Sequence, residues 1–267
     1  MTRIMNRYAT LAVLVIAGLL SACDNNKWTI PDLAGPIDNS RIRFFNFGVN
    51  APSVNFYANE KKMTAISSTT GTESTTGIAY GGVGAGGAYA SIAPGQYALA
   101  GKIAAATDKD LAISTVNQTI ADGKFYSFYM SGFYNTTTKN VEGFVVEDNL
   151  PSPSGDLAIT TVRFVHAISN GNPMTLYAKS TTTAAETAIG SEIAYKSAGA
   201  FVNIPAGAYD LSTRYTGSST NAVARTGVSF VGNKVYTITA RGDITVTPTT
   251  TGCAAANRTC LDNTANR

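Results

Sequence analysis

The sequence predicts an all-β protein made of two tandem antiparallel β-sandwich domains, of the immunoglobulin or transthyretin-like kind. From Arg41 onward, short stretches rich in Val, Ile, Thr, Tyr and Phe are interrupted about every ten residues by Gly, Asn, Pro or Ser. No convincing helical period appears along this part of the chain. The same succession of strand-like segments then occurs twice, which predicts two copies of one domain.

Three pairs of similar segments define the repeat, and their order is the same in both halves of the chain. The segments, each followed by its counterpart, are 41–58 with 161–178, 87–100 with 199–212, and 123–132 with 233–242. The differences in length fall between these segments, as expected when strands are kept and loops vary. We therefore predict a first domain over 40–150 and a second over 157–248.

The N-terminus has the pattern of a secretory signal. Arg3 and Arg7 precede an uncharged apolar run, 9–20, which ends in small residues before Cys23. The run is shorter than the roughly 20 apolar residues that a transmembrane helix needs. We expect residues 1–22 to be removed from the mature protein.

The residues around the predicted cleavage point resemble the bacterial lipobox. Leu20, Ser21, Ala22 and Cys23 match this motif, in which the cysteine is acylated and the chain is cut just before it. Each buried CH₂ contributes about 0.8 kcal/mol, so that two or more acyl chains hold a protein at a membrane. The resemblance implies a membrane-anchored envelope lipoprotein with a tether over 23–39, and it leaves open which membrane and which side.

The charge of the mature chain is close to neutral. The sequence has 20 Lys and Arg against 17 Asp and Glu, and removal of Arg3 and Arg7 with the leader leaves 18 basic residues. No run of Lys or Arg remains, so the electrostatic signature of a nucleic-acid-binding protein is missing. We expect no nucleic acid among the partners.

The two cysteines near the C-terminus, Cys253 and Cys260, are predicted to form a disulfide in a polar tail over 249–267. Secreted and envelope proteins fold where disulfides persist. So small a loop contributes about 2–3 kcal/mol by chain entropy. A zinc site is the weaker alternative, since zinc needs about four N, S or carboxylate ligands and the neighbouring sequence does not supply the others. We expect neither a metal nor a cofactor.

His166 is the single histidine of the chain and the natural candidate for acid–base chemistry. Strand parity places it on the core side with Phe164, where the strand meets its turn. The first repeat has Asn46 at this position, and Asn can make the same backbone hydrogen bonds as a neutral imidazole. We therefore predict a structural role. The alternative is an envelope hydrolase using His166, although the sequence has no GxSxG motif.

The most aromatic segment, 125–135, has far fewer rings in its second-repeat counterpart. Parity places Phe125 and Tyr129 on the outward face of their strand. Exposed rings need a partner, and three explanations remain: contact between the domains, a stacking platform for a glycan, peptide or apolar ligand, or a place in the core of the first domain that the parity argument misses. Phe133 and Tyr134 would add contacts to such a platform.

Arginine and tyrosine recur at one separation in both repeats, as Arg43 with Tyr57 and Arg163 with Tyr177. The alternation of side chains along the strands predicts that both members of each pair point away from the core. We expect each guanidinium to stack over its phenol on the surface, an arrangement that contributes about 0.5–1 kcal/mol.

The strand "VRFVHA", 162–167, together with the later "GxY" hairpin and "YTI", 236–238, resembles the bacterial family of domain of unknown function 4397. The likeness covers 41 to about 149 and 161 to about 247. It implies secreted or lipid-anchored β-sandwiches, commonly in tandem; it implies no enzymatic activity and offers no catalytic residues to carry over. The resulting prediction is a non-enzymatic binding or scaffolding module, with a glycan or an envelope protein as the expected class of partner.

Overall fold

The computed structural model describes residues 40–64, 76–152, 154–246 and 258–266. The predicted leader, Cys23 and Cys253 lie outside these residues. The strands of the first domain are β1 (Arg41–Val49), β2 (Val54–Ala58), β3 (Lys61–Lys62), β4 (Gly82–Val83), β5 (Ala90–Ser91), β6 (Gly95–Ile103), β7 (Ala112–Ile120), β8 (Phe125–Phe133) and β9 (Gly143–Glu147). A short 3-10 helix, Gly84–Gly87, follows β4.

The second domain repeats this succession of strands. They are β10 (Ile159–Ala167), β11 (Met174–Ser180), β12 (Glu186–Ile193), β13 (Ser197–Ala198), β14 (Val202–Pro205), β15 (Gly207–Tyr215), β16 (Val223–Phe230), β17 (Val235–Arg241) and β18 (Cys260–Ala265).

Each domain consists of two facing sheets, which confirms the predicted pair of tandem β-sandwiches. In the first domain the sheet β4-β1-β8-β9, with β5 also on β1, faces the sheet β3-β2-β6-β7. In the second, β13-β10-β17-β18, with β14 also on β10, faces β12-β11-β15-β16. Each domain has its own hydrophobic core between its two sheets. Phe44, Phe56 and Phe128 form the centre of the first core, with ring centroids 5.2–6.1 Å apart.

The central strands of two sheets depart from a purely antiparallel sandwich. β1 pairs with β8 in parallel over nine residues, and β10 pairs with β17 in the same way. The chain crosses to the other sheet between the members of each pair and returns in the original direction. Parallel strands are usually covered on both faces, and β1, β8, β10 and β17 are buried along almost their whole lengths.

The second faces of these two sheets pack against each other. A third apolar cluster joins Phe45, Phe47, Tyr129 and Phe144 of the first domain to Val165 and Ala167 of the second. The sheets that contain β1 and β10, called the inner sheets below, therefore lie between the two outer sheets in a stack of four layers.

The second sandwich extends beyond its predicted end at 248. β18 pairs antiparallel with β17, from Tyr236 opposite Ala265 to Arg241 opposite Cys260. The segment 249–267, expected to be a polar tail, thus includes an edge strand of the sheet. β9 has the same place in the first domain. Its sequence "GFVVE" is typical of a strand, whereas "CLDNTA" has few β-branched residues and no aromatic ones, so periodicity does not reveal it.

Candidate functional site between the domains

The alternation of side chains along β1, β8, β10 and β17 divides each inner sheet into a core face and a face toward the other domain. Tyr129 lies on this second face and is 0% exposed. Its ring stacks on Phe45 at 4.6 Å and on Phe144 at 5.1 Å between centroids. The structure therefore places Tyr129 in the contact between the domains and not on a free surface.

The four aromatic residues proposed as one platform do not come together. Phe125 is half-buried and meets Tyr89 edge-to-face, with 5.1 Å between ring centroids. Phe133 ends the same strand and is 43% exposed. Because a strand rises about 3.3 Å per residue, the first and last residues of β8 lie roughly 26 Å apart. Tyr134 is half-buried and packs against the core of the first domain.

A buried polar network surrounds the aromatic cluster, and Asp148 lies at its centre. Its side chain is 0% exposed and accepts a hydrogen bond from Nη2 of Arg163 in the other domain. Asp148 Oδ2 also accepts hydrogen bonds from Ser127 Oγ and Tyr89 Oη, both at 2.6 Å. Arg163 Nε donates to Thr237 Oγ1 at 3.0 Å. One carboxylate thus joins groups from both domains.

Arg43 makes the corresponding contacts from the first domain. Its Nε donates to Ser127 Oγ at 3.1 Å, and Nη1 donates to the backbone oxygen of Ala265 at 3.4 Å. Nη2 donates to Asn266 Oδ1. The guanidinium lies 4.3 Å from the ring centroid of Tyr89. Arg43 is 1% exposed, so that all of these interactions are made away from solvent.

The two sets of contacts are related by an approximate two-fold axis. Arg43 and Arg163 are equivalent residues of β1 and β10. Asp148 and Asn266 are also equivalent, since each follows the edge strand of its inner sheet and donates its N–H to the first residue of β8 or β17, at 2.6 and 2.7 Å. Each arginine binds the equivalent residue of the opposite domain. This reciprocity is the signature of an isologous interface, here between two copies within one chain.

The same reciprocity occurs at the other end of the inner sheets. Tyr80 and Tyr195 are equivalent, since each precedes the residue whose N–H donates to β1 or β10, at 2.7 and 3.0 Å. The ring of Tyr80 lies 4.8 Å from the guanidinium of Arg241, and Tyr195 Oη lies 3.3 Å from Ser131 Oγ. Arg241 and Ser131 in turn hold equivalent positions on β17 and β8. The contact therefore continues along the full length of the strands.

Burial determines the protonation of the phenols in this contact. Desolvation, followed by the negative charge of Asp148, raises the pKa of Tyr89, and burial likewise raises the pKa of Tyr129. Both phenols are consequently neutral at physiological pH, and the Tyr89 hydroxyl donates to Asp148. Among the described residues, Asp148 is the one acidic side chain that hydrogen-bonds directly to this cluster of two buried arginines.

The expected stacking of Arg43 on Tyr57 is wrong, as is its counterpart in the second domain. Tyr57 belongs to β2 in the outer sheet, where its ring lies 4.6 Å from Lys102 Nζ. Arg43 belongs to the inner sheet and faces the other domain. Arg163 has Phe201 as its aromatic partner, at 4.8 Å from the ring centroid. Arg43 and Tyr57 both point away from the core of the first domain, but they belong to different sheets and therefore lie on different surfaces.

His166 is 0% exposed at the end of β10. Its Nε2 lies 3.1 Å from the backbone oxygen of Asn172, and the N–H of Ile168 donates to its Nδ1 at 3.2 Å. Burial lowers the pKa of His166, so the ring is neutral, with the proton on Nε2. Both ring nitrogens are engaged with the turn, which leaves neither for a substrate.

Asn46 makes the same two bonds in the first domain. Its Nδ2 donates to the backbone oxygen of Pro52 at 3.3 Å, and its Oδ1 accepts from the N–H of Gly48 at 3.3 Å. These partners stand at the same spacing in sequence as those of His166. The Asn46 amide also donates to the backbone oxygen of Ile78 at 2.8 Å. The predicted structural equivalence of the two side chains is thus visible in their hydrogen bonds.

The family described as "Domain of unknown function (DUF4397)" matches the chain twice, over 40–162 and 160–258. The chain belongs to the DUF4397 family. Each match begins at the first strand of a sandwich, so that one DUF4397 domain corresponds to one sandwich. The second match ends before β18, the edge strand that completes the second inner sheet. No curated protein matches the chain.

Two grooves flank the contact between the DUF4397 domains and follow its two-fold symmetry. One, of about 590 Å³, lies between the end of β9 and the segment 196–201, and includes Arg163 and Lys196. Its counterpart, of about 440 Å³, lies between 83–89 and the end of β18. A third groove, of about 550 Å³, lies on the outer sheet of the first domain.

The remaining predicted features lie partly outside the described residues. Cys260 is buried at the start of β18, while Cys253 is not described, so the disulfide stays a prediction. The described ranges contain no group of three or more His, Cys, Asp or Glu side chains able to hold a metal ion. Nor does any helix within these ranges have the length and hydrophobicity to cross a membrane.

Proposed function

We propose that this protein is a lipid-anchored envelope protein whose two DUF4397 domains form one rigid, non-enzymatic module for binding or scaffolding. The observation that carries this proposal is the buried contact between the inner sheets. Each domain already has a core of its own, so the third cluster and the arginine network serve to fix one domain on the other. Tandem domains without such a contact are expected to move relative to each other.

A rigid pair of domains presents its two outer sheets and its loops at fixed positions. The two domains then lose less conformational entropy when a partner binds to both of them than a flexible pair of domains would lose. This arrangement suits a scaffold or receptor held at the envelope. It also explains why the charged side chains with the deepest burial, Arg43, Asp148 and Arg163, are engaged in structural bonds.

The groove on the outer sheet of the first domain supports a glycan as the class of ligand. Amide and phenol side chains line it, namely Gln96 and Tyr97 of β6, Asn117 and Gln118 of β7, and Asn59 of the turn after β2. Amides both donate and accept hydrogen bonds, as sugar hydroxyls require. A glycan array probed with the wild type and with Gln96→Ala/Asn117→Ala, two exposed positions on β6 and β7, tests this surface. If the wild type binds a glycan and the double variant does not, the result supports a glycan ligand in this groove. If the double variant binds the glycan as the wild type does, this groove is excluded as the binding site.

The anchor is proposed from the lipobox resemblance at Cys23. Metabolic labelling with an alkyne analogue of palmitate, followed by membrane fractionation, tests it. The wild type should carry the label and stay with the membrane, and Cys23→Ser should be unlabelled and leave the membrane fraction. An unlabelled wild-type protein with a free thiol at Cys23 would contradict the anchor.

The buried His166, whose two ring nitrogens are both hydrogen-bonded to the turn, supports the non-enzymatic part of the proposal.

A further inference from the structure

The described chain begins at one end of the first domain. β1 and β8 are parallel and start together at this end. Ser40 Oγ donates to the backbone oxygen of Ala121 at 2.9 Å, and the N–H of Arg41 donates to that of Lys124 at 2.9 Å. Ser40, the first described residue, therefore lies beside the turn 121–124.

The corresponding end of the second domain lies on the same side. Arg43, near the start of β1, contacts Ala265 and Asn266, which lie beside the start of β17. At the opposite end, Tyr80 contacts Arg241, the last residue of β17. The inner-sheet strands of one domain therefore start beside the starts of those in the other domain, and they end beside their ends. The end where β1, β8, β10 and β17 begin is called the proximal end below.

Two exposed apolar side chains lie at the proximal end. Leu157 precedes β10 and is 77% exposed, and Val231 lies in the turn before β17 and is 60% exposed. They are the two most exposed large hydrophobic residues of the described chain. The turn is fixed by the N–H of Asn233, which donates to the backbone oxygen of Ile159 at 2.7 Å. Gly232 lies so close to the Leu157 backbone that a Cβ would overlap it, so the turn that contains Val231 passes directly beside Leu157.

We infer that the proximal end rests on the surface of the membrane, with Leu157 and Val231 in contact with lipid. This inference rests on the proposed acylation of Cys23. The exposed charges nearby are of both signs, since Lys124 and Lys234 accompany Asp122 and Asp156. The contact is accordingly apolar and does not depend on anionic lipid. Apolar side chains at a membrane boundary bury their surface among the headgroups and upper acyl chains.

The length of the tether selects the membrane as the occupant of this apolar surface. Seventeen residues, from Cys23 to position 39, precede Ser40. For a random coil of seventeen residues the root-mean-square span is about 23 Å. Tethering of this kind gives an effective concentration in the millimolar range, at which even a weak contact is populated. The opposite end of the module is farther by the length of the strands, about 26 Å between the first and last of nine residues.

Tryptophan quenching by brominated lipids tests the contact directly. The natural tryptophan, Trp28, is first changed to Phe, and Leu157→Trp or Val231→Trp is introduced into the acylated mature protein in vesicles. The matched control is Leu111→Trp, because Leu111 is 39% exposed between β6 and β7 at the opposite end. We expect blue-shifted, quenched emission at positions 157 and 231 and unquenched emission at 111. In the Val231→Trp protein, Leu157→Ser should lower the quenching.

The outcomes separate this inference from the proposal on which it rests. Vesicle-bound protein with no quenching at 157 and 231 would overturn the membrane contact and leave the anchor standing. A blue shift at these positions without quenching would point to a second copy of the chain and also overturn it. Protein that does not sediment with the vesicles would instead contradict acylation of Cys23.

Discussion

Asp148 and Asn266 occupy equivalent positions in the two domains, and each accepts a hydrogen bond from the buried arginine of the opposite domain. One is a carboxylate and the other an amide, so within the described ranges one carboxylate is hydrogen-bonded into the network of the two guanidiniums, Arg43 and Arg163. A buried charge left without its partner is strongly destabilising. Asp148 is consequently the residue on which the contact between the domains depends most.

Replacement of Asp148 by Asn should lower the free energy of unfolding by about 3–5 kcal/mol, because Arg163 then remains buried without its carboxylate partner. Urea unfolding measures this directly. Glu60→Gln is the control, since Glu60 pairs with Lys102 while its side chain is 94% exposed, and such surface pairs contribute about 1 kcal/mol or less. Equal effects of the two substitutions would contradict the account.

The two-fold relation adds a sharper form of this test. In the Asp148→Asn protein, Asn266→Asp places a carboxylate beside Arg43 and should recover part of the lost free energy of unfolding. Asn117→Asp, which adds the same charge at an exposed position of β7 on the outer sheet, serves as the control. If Asn266→Asp recovers no more free energy of unfolding than the control does, positions 148 and 266 are not equivalent in energy.

Tyr129→Ala should destabilise the protein by about 3–5 kcal/mol, as expected for the loss of a large, fully buried aromatic side chain. Phe133→Ala is the matched control on the same strand, since Phe133 is 43% exposed and surface substitutions usually change stability by about 0.5 kcal/mol. A surface platform at Tyr129 would predict the reverse, with loss of ligand binding and little change in unfolding.

His166→Asn should leave the protein folded and its binding unchanged, with a loss of stability of about 1 kcal/mol or less, because Asn46 already makes these bonds in the first domain. His166→Ala removes both bonds and should cost about 1–3 kcal/mol. The envelope hydrolase alternative predicts instead that His166→Asn abolishes an activity while the fold persists. Thermal unfolding, combined with a hydrolase screen of the wild type, distinguishes these outcomes.

The stability of the wild type should also depend on pH through His166. Burial lowers its pKa in the folded state below the ordinary value of 6.5, so the unfolded chain binds the proton more readily. The stabilising contribution is present above pH 6.5 and is lost as the pH falls below that value toward the folded pKa. His166→Asn should lack this component. The difference in unfolding free energy between wild type and variant, followed from pH 7.5 to 5, measures it, and a constant difference would exclude it.

Local patterns in the sequence reveal the sandwiches but not the way they join. The repeat predicts two domains, and the equivalence of Asn46 and His166 predicts the bonds at their turns. The partner of Arg43 cannot be predicted in this way, because Asn266 lies more than 200 positions away and belongs to the other copy. The parallel pairing of β1 with β8 is hidden for a similar reason, since it depends on how the chain returns and not on periodicity.

The central claim is that the two domains form one rigid body, and residual dipolar couplings of backbone amides test it most directly. Couplings from residues 41–147 and from residues 159–241 should fit a single alignment tensor on the structure described above. In Asp148→Asn/Tyr129→Ala, two different tensors are expected if the contact is released while the domains stay folded. Two different tensors in the wild-type protein would show that the domains move independently and would contradict the account.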